Sequence, residues 1–142
     1  MNGSAGSGGY STGSVASRDG TVIGYRQVSQ GPGIIAVHGG IQAAQNLMKL
    51  AHALADSFTV YLPDRRGRGL TGPPGRHYSL ATECEDLSAL AKATGAHNIF
   101  GLSSGAIIAL QAALVLPPSA KPPSASLLCW STIPPNRLTG PF

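Results

Sequence analysis

The chain has 142 residues, of which 42% are hydrophobic and 11% are charged, and this apolar content excludes a wholly disordered protein. Ten Lys and Arg against six Asp and Glu give a formal net charge of +4 at pH 7. The two cysteines, Cys84 and Cys129, cannot form a disulfide framework and neither belongs to a CxxC pair, which excludes disulfide-stabilised and zinc-ribbon domains.

The N-terminal residues are rich in glycine and serine, with five glycines in the first thirteen positions. This composition predicts a flexible tail over residues 1–16. The segment lacks the charged and apolar regions of a signal peptide, and the longest apolar run, residues 105–116, is too short to span a bilayer. We therefore predict a cytoplasmic protein that does not interact with membranes.

Residues 17–116 alternate between strand-like and helix-like patterns. Apolar runs predict four strands, and stripes with helical spacing predict three helices between them. Ser79 has the hydroxyl of a helix N-cap, and Gly95 is suited to a left-handed C-cap. The alternation predicts an α/β fold, a mostly parallel sheet with flanking helices. The predicted strands are Val22–Val28, Gly33–Val37, Phe58–Leu62 and Asn98–Leu102, and the predicted helices cover 44–55, 80–94 and 104–116.

The pentapeptide Gly101-Leu102-Ser103-Ser104-Gly105 fits the pattern G-x-S-x-G between a predicted strand and a predicted helix. A serine on such a tight turn has a strained backbone, and side chains two residues away on either side would clash. Ser104 fits the nucleophile position less well, because Leu102 would then occupy a position that needs a small residue. On the pentapeptide alone, a Gly/Ser-rich turn before a helix remains an equal alternative.

Two further motifs follow the preceding strands. His38-Gly39-Gly40 comes after the strand at 33–37, and Asp64-Arg65-Arg66-Gly67-Arg68-Gly69 comes after the next. Together with the serine motif, and in this order, they resemble the α/β-hydrolase superfamily of esterases, lipases and related hydrolases. The resemblance covers residues 17–116, the amino-terminal half of the family's chain.

The resemblance implies a role for each motif. Ser103 would be the nucleophile, and the backbone N–H groups of Gly40 and Ser104 would form the oxyanion hole for a small ester or acyl substrate. His38 would orient its neighbours rather than act as a base. The remaining motif residues would shape the loop beside the site: Asp64, Arg66, Gly67 and Gly69.

No cofactor or metal is predicted. The hexapeptide at 67–72 spells G-x-G-x-x-G, but Pro73-Pro74-Gly75 continues the loop where a dinucleotide site needs a helix to begin. His52, His77 and His97 lack metal-ligand spacing. Cys84 shares a predicted apolar helix face with Leu80 and Leu87, so we expect it in the core.

Residues 117–142 have a different composition, with seven of the eleven prolines. The family's acid and histidine follow the serine along the chain, whereas residues 104–142 contain no Asp, Glu or His. We expect weak or absent turnover and hypothesise a truncated or misread product of a longer gene. An open sheet edge would permit self-association, unless residues 126–133 cover it with a strand.

Two other functions stay open at this stage. The first is a binding module without catalysis, which would keep the pocket and lack the chemistry. The second is a general basic surface that binds nucleic acid through Arg65, Arg66 and Arg68, although the charge pattern indicates no specific nucleic-acid partner.

Overall fold

A six-stranded mixed sheet with the strand order β1-β2-β4-β3-β5-β6 organises the chain. In this computed structural model the structure describes residues 9–96 and 98–115, and the backbone of the strand at 129–130. Strands β3, β4, β5 and β6 run parallel to one another, whereas β2 is antiparallel to both of its neighbours, β1 and β4. The strands are β1 (Ser11–Ala16), β2 (Val22–Val28), β3 (Gly33–Val37), β4 (Thr59–Pro63), β5 (Asn98–Leu102) and β6 (Cys129–Trp130).

Three α-helices connect the strands, and their ends follow the sequence signals. A short 3₁₀ turn at Ala44–Leu47 precedes the first helix. Ser79 caps the second helix by accepting from Thr82 N–H at 3.3 Å, and Gly95 ends it with φ of 71°. The predicted α/β class and both caps are confirmed. The helices are α1 (Met48–Leu54), α2 (Leu80–Thr94) and α3 (Ser104–Val115).

The prediction of a flexible tail through residue 16 is wrong for residues 11–16. They form β1, which pairs with β2 from Ser11 opposite Gln27 to Ala16 opposite Val22. The ladder is made by backbone groups, so a Gly/Ser-rich segment can join it without a strong apolar pattern. Residues 1–8 lie outside the described residues.

The strand β6 falls within the segment of altered composition. Cys129 and Trp130 pair in parallel with Gly101 and Leu102 at the end of β5. This short strand lies where the covering-strand alternative expected one. The other residues of the predicted covering strand, 126–128 and 131–133, lie outside the described residues, as do Leu116 and His97.

Apolar side chains cover both faces of the sheet. On one face, Ile35 and Val37 of β3 pack with side chains of α2 and α3, including Cys84, which is 3% exposed as predicted. On the other face, Ala36 packs with Val60 and the α1 region. Each large side chain buried in this way contributes about 1.5–3 kcal/mol. This packing fixes the carboxyl ends of β3, β4 and β5 at one edge of the sheet.

Among the described residues, no helix has the length and apolar character needed to cross a membrane.

Candidate active site

Ser103 lies at the sharp turn between β5 and α3. Its φ is 55°, in the left-handed region that a residue with a Cβ adopts at a cost. The turn is closed by Ala106 N–H, which donates to the Ser103 carbonyl at 2.9 Å. The Ser103 side chain is exposed, so the turn presents its hydroxyl to solvent.

The glycines that flank this turn are required by backbone contacts. A Cβ placed on Gly101 would lie 2.6 Å from the nitrogen of Ala106, and one placed on Gly105 would lie 2.6 Å from the carbonyl oxygen of His38. Real Cβ atoms do not approach backbone atoms this closely. The glycines of G-x-S-x-G are therefore required because a side chain at either position would clash with the backbone, as predicted from the sequence.

The loop after β3 lies against the Ser103 turn. A Cβ placed on Gly39 would be 3.3 Å from the Cβ of Ser103, and one on Gly40 would be 3.3 Å from Ser104 Oγ. Gly39 N–H donates to Gln42 Oε1 at 3.0 Å, which holds the loop in shape. The structure thus brings together the three residues predicted for the site: Gly40, Ser103 and Ser104.

His38 is completely buried and both of its ring nitrogens have partners. Nε2 accepts from Arg65 N–H at 3.0 Å, so Nδ1 carries the proton and donates to the Gly39 carbonyl at 2.8 Å. Burial lowers the pKa of His38 below its ordinary value. The imidazole therefore ties two loops together, which confirms its structural interpretation, and it has no nitrogen left to act as a base.

This environment makes stability depend on pH. Because the folded state lowers the pKa of His38, its stabilising effect is complete above the unfolded pKa of about 6.5 and is lost as the pH falls. Because the unfolded imidazole takes up about half a proton between roughly pH 7 and pH 6, we expect the free energy of unfolding to drop by at most about 0.7 kcal/mol over that interval on this account. Denaturant titrations at several pH values should show a smaller drop for His38→Gln. An equal drop in both proteins would contradict the assignment.

Asp64 organises the loop after β4. Its carboxylate is fully buried and accepts from Ala44 N–H and from the Arg26 guanidinium at 2.8 Å, and from Leu70 N–H at 2.9 Å. A Cβ on Gly69 would lie 2.6 Å from Asp64 Oδ1, so this position requires glycine. Asp64 therefore has the loop-shaping role that the sequence predicted.

Arg66 is buried between two carboxylates. It donates to Asp86 at 2.9 and 2.7 Å and to Asp19 at 2.6 and 3.1 Å. These bonds raise the pKa of Arg66 and lower that of Asp19. Only 2% of the Arg66 side chain and 15% of the Arg65 side chain are exposed. The idea that these two residues form a basic surface with Arg68 is therefore wrong.

The loop at 67–72 closes on itself, with Gly67 N–H donating to the Gly72 carbonyl at 2.7 Å. The next helix, α2, begins only at Leu80. A dinucleotide site needs a helix that starts at the motif, so this loop does not have that geometry. Within the described part of the chain, no group of three His, Cys, Asp or Glu side chains is placed to hold a metal ion.

A cluster that the sequence analysis did not find adjoins Ser104. Arg65 donates to Ser104 Oγ at 2.9 Å and to the buried carboxylate of Glu83 at 2.9 Å. Tyr78 accepts from Arg65 at 3.2 Å and donates a short hydrogen bond to Glu83. No sequence spacing indicates this cluster, because its members come from three separate segments.

A groove of about 1210 Å³ lies elsewhere, between β1, α2 and α3. Its lining includes Val15, Cys84 and Val115, and the Ser103 turn is not part of it. Burial raises the pKa of the Cys84 thiol, which keeps it in the unreactive neutral form.

An exposed serine with positive φ, flanked by obligatory glycines between a strand of a mostly parallel sheet and a helix, has the strand–turn–helix geometry of the G-x-S-x-G motif in the α/β-hydrolase class. The sequence model described as "Alpha/beta hydrolase family" matches residues 34–141. The chain belongs to the alpha/beta hydrolase family and corresponds to its amino-terminal portion. The match continues to residue 141, beyond residue 116 where the resemblance based on motifs ends.

Solved structures agree with this membership. An alpha/beta hydrolase from Sphaerobacter thermophilus is 40% identical, with 78% of this chain and 41% of that chain covered and a TM-score of 0.69. An epoxide hydrolase from an endophytic Streptomyces (23% identical, 84% and 37% covered, TM-score 0.74) and an esterase from Exiguobacterium antarcticum (22%, 82% and 43%, TM-score 0.72) share the fold. The chain thus spans about two fifths of the length of these proteins.

Proposed function

We propose that this chain carries the nucleophile and the oxyanion-binding half of a serine hydrolase site for small ester or acyl substrates. The observation that carries the proposal is the position of Ser103, exposed at φ of 55° beside the Gly39-Gly40 loop. The similar structures include an esterase and an epoxide hydrolase, so the ester or acyl class is proposed from the serine at this turn and not from these neighbours.

In the proposed reaction, Ser103 Oγ attacks the ester carbonyl carbon and the carbonyl oxygen becomes an oxyanion. The backbone N–H groups of Gly40 and Ser104 donate to that oxyanion, and the alkoxide or phenolate group then leaves. The Ser103 proton needs an acceptor. His38 has both nitrogens engaged, and residues 104–142 contain no histidine or carboxylate side chain. We therefore propose that acylation is slow unless a base is supplied from outside the chain.

Imidazole added to the buffer provides such a base. With p-nitrophenyl acetate, we expect imidazole to promote formation of an acetyl ester on Ser103 and release of p-nitrophenolate. Because Ser103→Ala removes the nucleophile, it should lose both the adduct and the imidazole-promoted release that remains after subtraction of the protein-free reaction. The measurements are absorbance of p-nitrophenolate and peptide mass spectrometry.

Ser14→Ala is the matched control, because Ser14 is an exposed serine in β1, away from the turn. This variant should acetylate Ser103 at the wild-type rate. Acetylation spread over several serines, or none on Ser103 with imidazole present, would contradict the proposal. The latter result would favour the alternative of a binding module without catalysis, which the lack of a base within residues 104–142 supports.

We further propose the cytoplasm as the location, since the composition includes only two cysteines and Cys84 is a free thiol in the core.

A further inference from the structure

We propose that Arg65 is a positioning residue that holds the Ser104 hydroxyl toward Gly40, so that this hydroxyl becomes a third donor to the substrate oxyanion. The inference rests on the proposed function of Ser103 and adds a side-chain donor to a site otherwise built from two backbone amides. Ser104 would then contribute both its N–H and its O–H to the same oxygen.

The direction of the hydrogen bonds supports this role for Ser104. A guanidinium group has donors only, so Ser104 Oγ must be the acceptor of the 2.9 Å bond from Arg65. The hydroxyl hydrogen of Ser104 is then available to donate elsewhere. Ser104 Oγ also faces the loop after β3, since a Cβ placed on Gly40 would lie only 3.3 Å from it.

The Arg65 guanidinium is held in place by a nearly buried partner. The Glu83 side chain is 5% exposed, and its Oε1 accepts from Arg65 Nε at 2.9 Å and forms an ion pair with a terminal guanidinium nitrogen, also at 2.9 Å. Tyr78 bridges the pair by accepting from Arg65 and donating to Glu83. Burial alone would lower the pKa of Arg65, but the bonds to Glu83 and Tyr78 raise it overall. The group therefore stays charged and fixed.

A donor polarised by a cation is stronger than a neutral hydroxyl. Hydrogen bonds in which one partner is ionised are roughly twice as strong as neutral ones, and neighbouring bonds in a chain strengthen one another. The chain from Arg65 through Ser104 Oγ to an oxyanion is such a series. Its geometry exists before substrate binds, so little reorganisation is needed during the reaction.

The competing interpretation is that the hydrogen bond between Arg65 and Ser104 only stabilises the fold, by joining the loop after β4 to the start of α3. The two interpretations predict different measurements. A structural tie affects the stability of the fold, whereas a positioned donor affects the affinity for a tetrahedral anion. Ser104→Thr keeps a hydroxyl and Ser104→Ala removes it.

The test uses methylphosphonate, a tetrahedral anion, and the full chain carrying Ser103→Ala, so that the result does not depend on nucleophilic reactivity. Binding is followed by NMR through the amide signals of Gly40 and Ser104. We expect the affinity to fall about 10-fold with Ser104→Ala or Arg65→Met, to recover within about 3-fold with Ser104→Thr, and to be intermediate with Arg65→Lys.

Arg18→Met is the matched control, because it removes an arginine whose side chain is 83% exposed and whose ion pair with Glu85 lies on the surface. Affinities that are equal across the series would overturn the proposal, and so would the absence of any shift of the two amides. If Arg65→Met does not fold, the comparison of Ser104→Ala with Ser104→Thr decides alone. If the methylphosphonate affinities are equal but Ser103 is still acetylated, the role of Ser104 is wrong and the proposed function stands. If the affinities change as expected but Ser103 is not acetylated, the assignment of Ser103 as nucleophile is wrong and the role of Ser104 stands.

Discussion

Gly105→Ala is expected to destabilise the protein by at least about 3 kcal/mol, the upper range for an extra methyl group in a closely packed site. The added Cβ would meet the Val37 and His38 carbonyl groups at the end of β3, with the His38 oxygen at 2.6 Å. Alanine favours a helix over glycine by about 1 kcal/mol, but this gain is smaller than the cost of moving α3 away from the sheet. Urea denaturation followed by circular dichroism measures the loss.

Gly72→Ala is the control for this substitution. A Cβ placed on Gly72 meets nothing within 4 Å, and its φ is not among the positive values. We expect its free energy of unfolding to lie within about 0.5 kcal/mol of wild type, or slightly above it because the unfolded chain loses freedom. Equal stability of Gly105→Ala and Gly72→Ala would show that α3 does not pack on β3 as described.

Asp64→Asn is expected to cost about 3–5 kcal/mol, the usual range when one partner of a buried ion pair is removed. The carboxylate accepts three hydrogen bonds, from Ala44, Leu70 and Arg26. An amide has one oxygen, so its NH₂ group must face at least one of these donors, and the Arg26 charge loses its counterion. The loop beside the candidate site should loosen, which amide hydrogen exchange of residues 64–72 would report.

Asp56→Asn serves as the reference, because Asp56 is an exposed carboxylate at the end of the α1 region. Its effect on the free energy of unfolding should stay within about 0.5 kcal/mol. If Asp64→Asn changed the free energy of unfolding as little as Asp56→Asn, the Asp64 carboxylate would not hold the loop together, and its ion pair with Arg26 would contribute little to stability.

The sequence predicted the elements whose formation depends on local pattern. Val22–Val28, Gly33–Val37 and Asn98–Leu102 have the predicted bounds, because each combines strand-forming apolar or aromatic residues with nearby turn residues. The strand β1 escaped prediction because it has few apolar side chains. Its partner β2, whose residues lie 6 to 16 positions further along the chain, supplies the backbone groups that make it a strand.

The candidate site was predictable only where it depends on a local sequence pattern. The glycine spacing around Ser103 reports a local steric constraint, so the motif could be read directly. The contacts of Arg65 with Glu83 and Ser104 span 18 and 39 positions, and no short motif encodes such distances. The sequence therefore showed three basic residues within four positions, while the fold directs Arg65 and Arg66 to carboxylate partners and Arg68 to the Gln42 carbonyl.

The sheet packs through its two faces, whereas the loops with the candidate chemistry all leave from one edge, after β3, β4 and β5. The residues that pack on the faces of the sheet are thus largely different from the residues of these loops. Under the proposed function, substitutions at the tips of these loops would change which substrates bind, while the packing of the apolar layers would stay the same. The exceptions are positions such as Gly105 and Asp64, which hold these loops against the sheet. A substitution there changes both the stability of the fold and the shape of the loops.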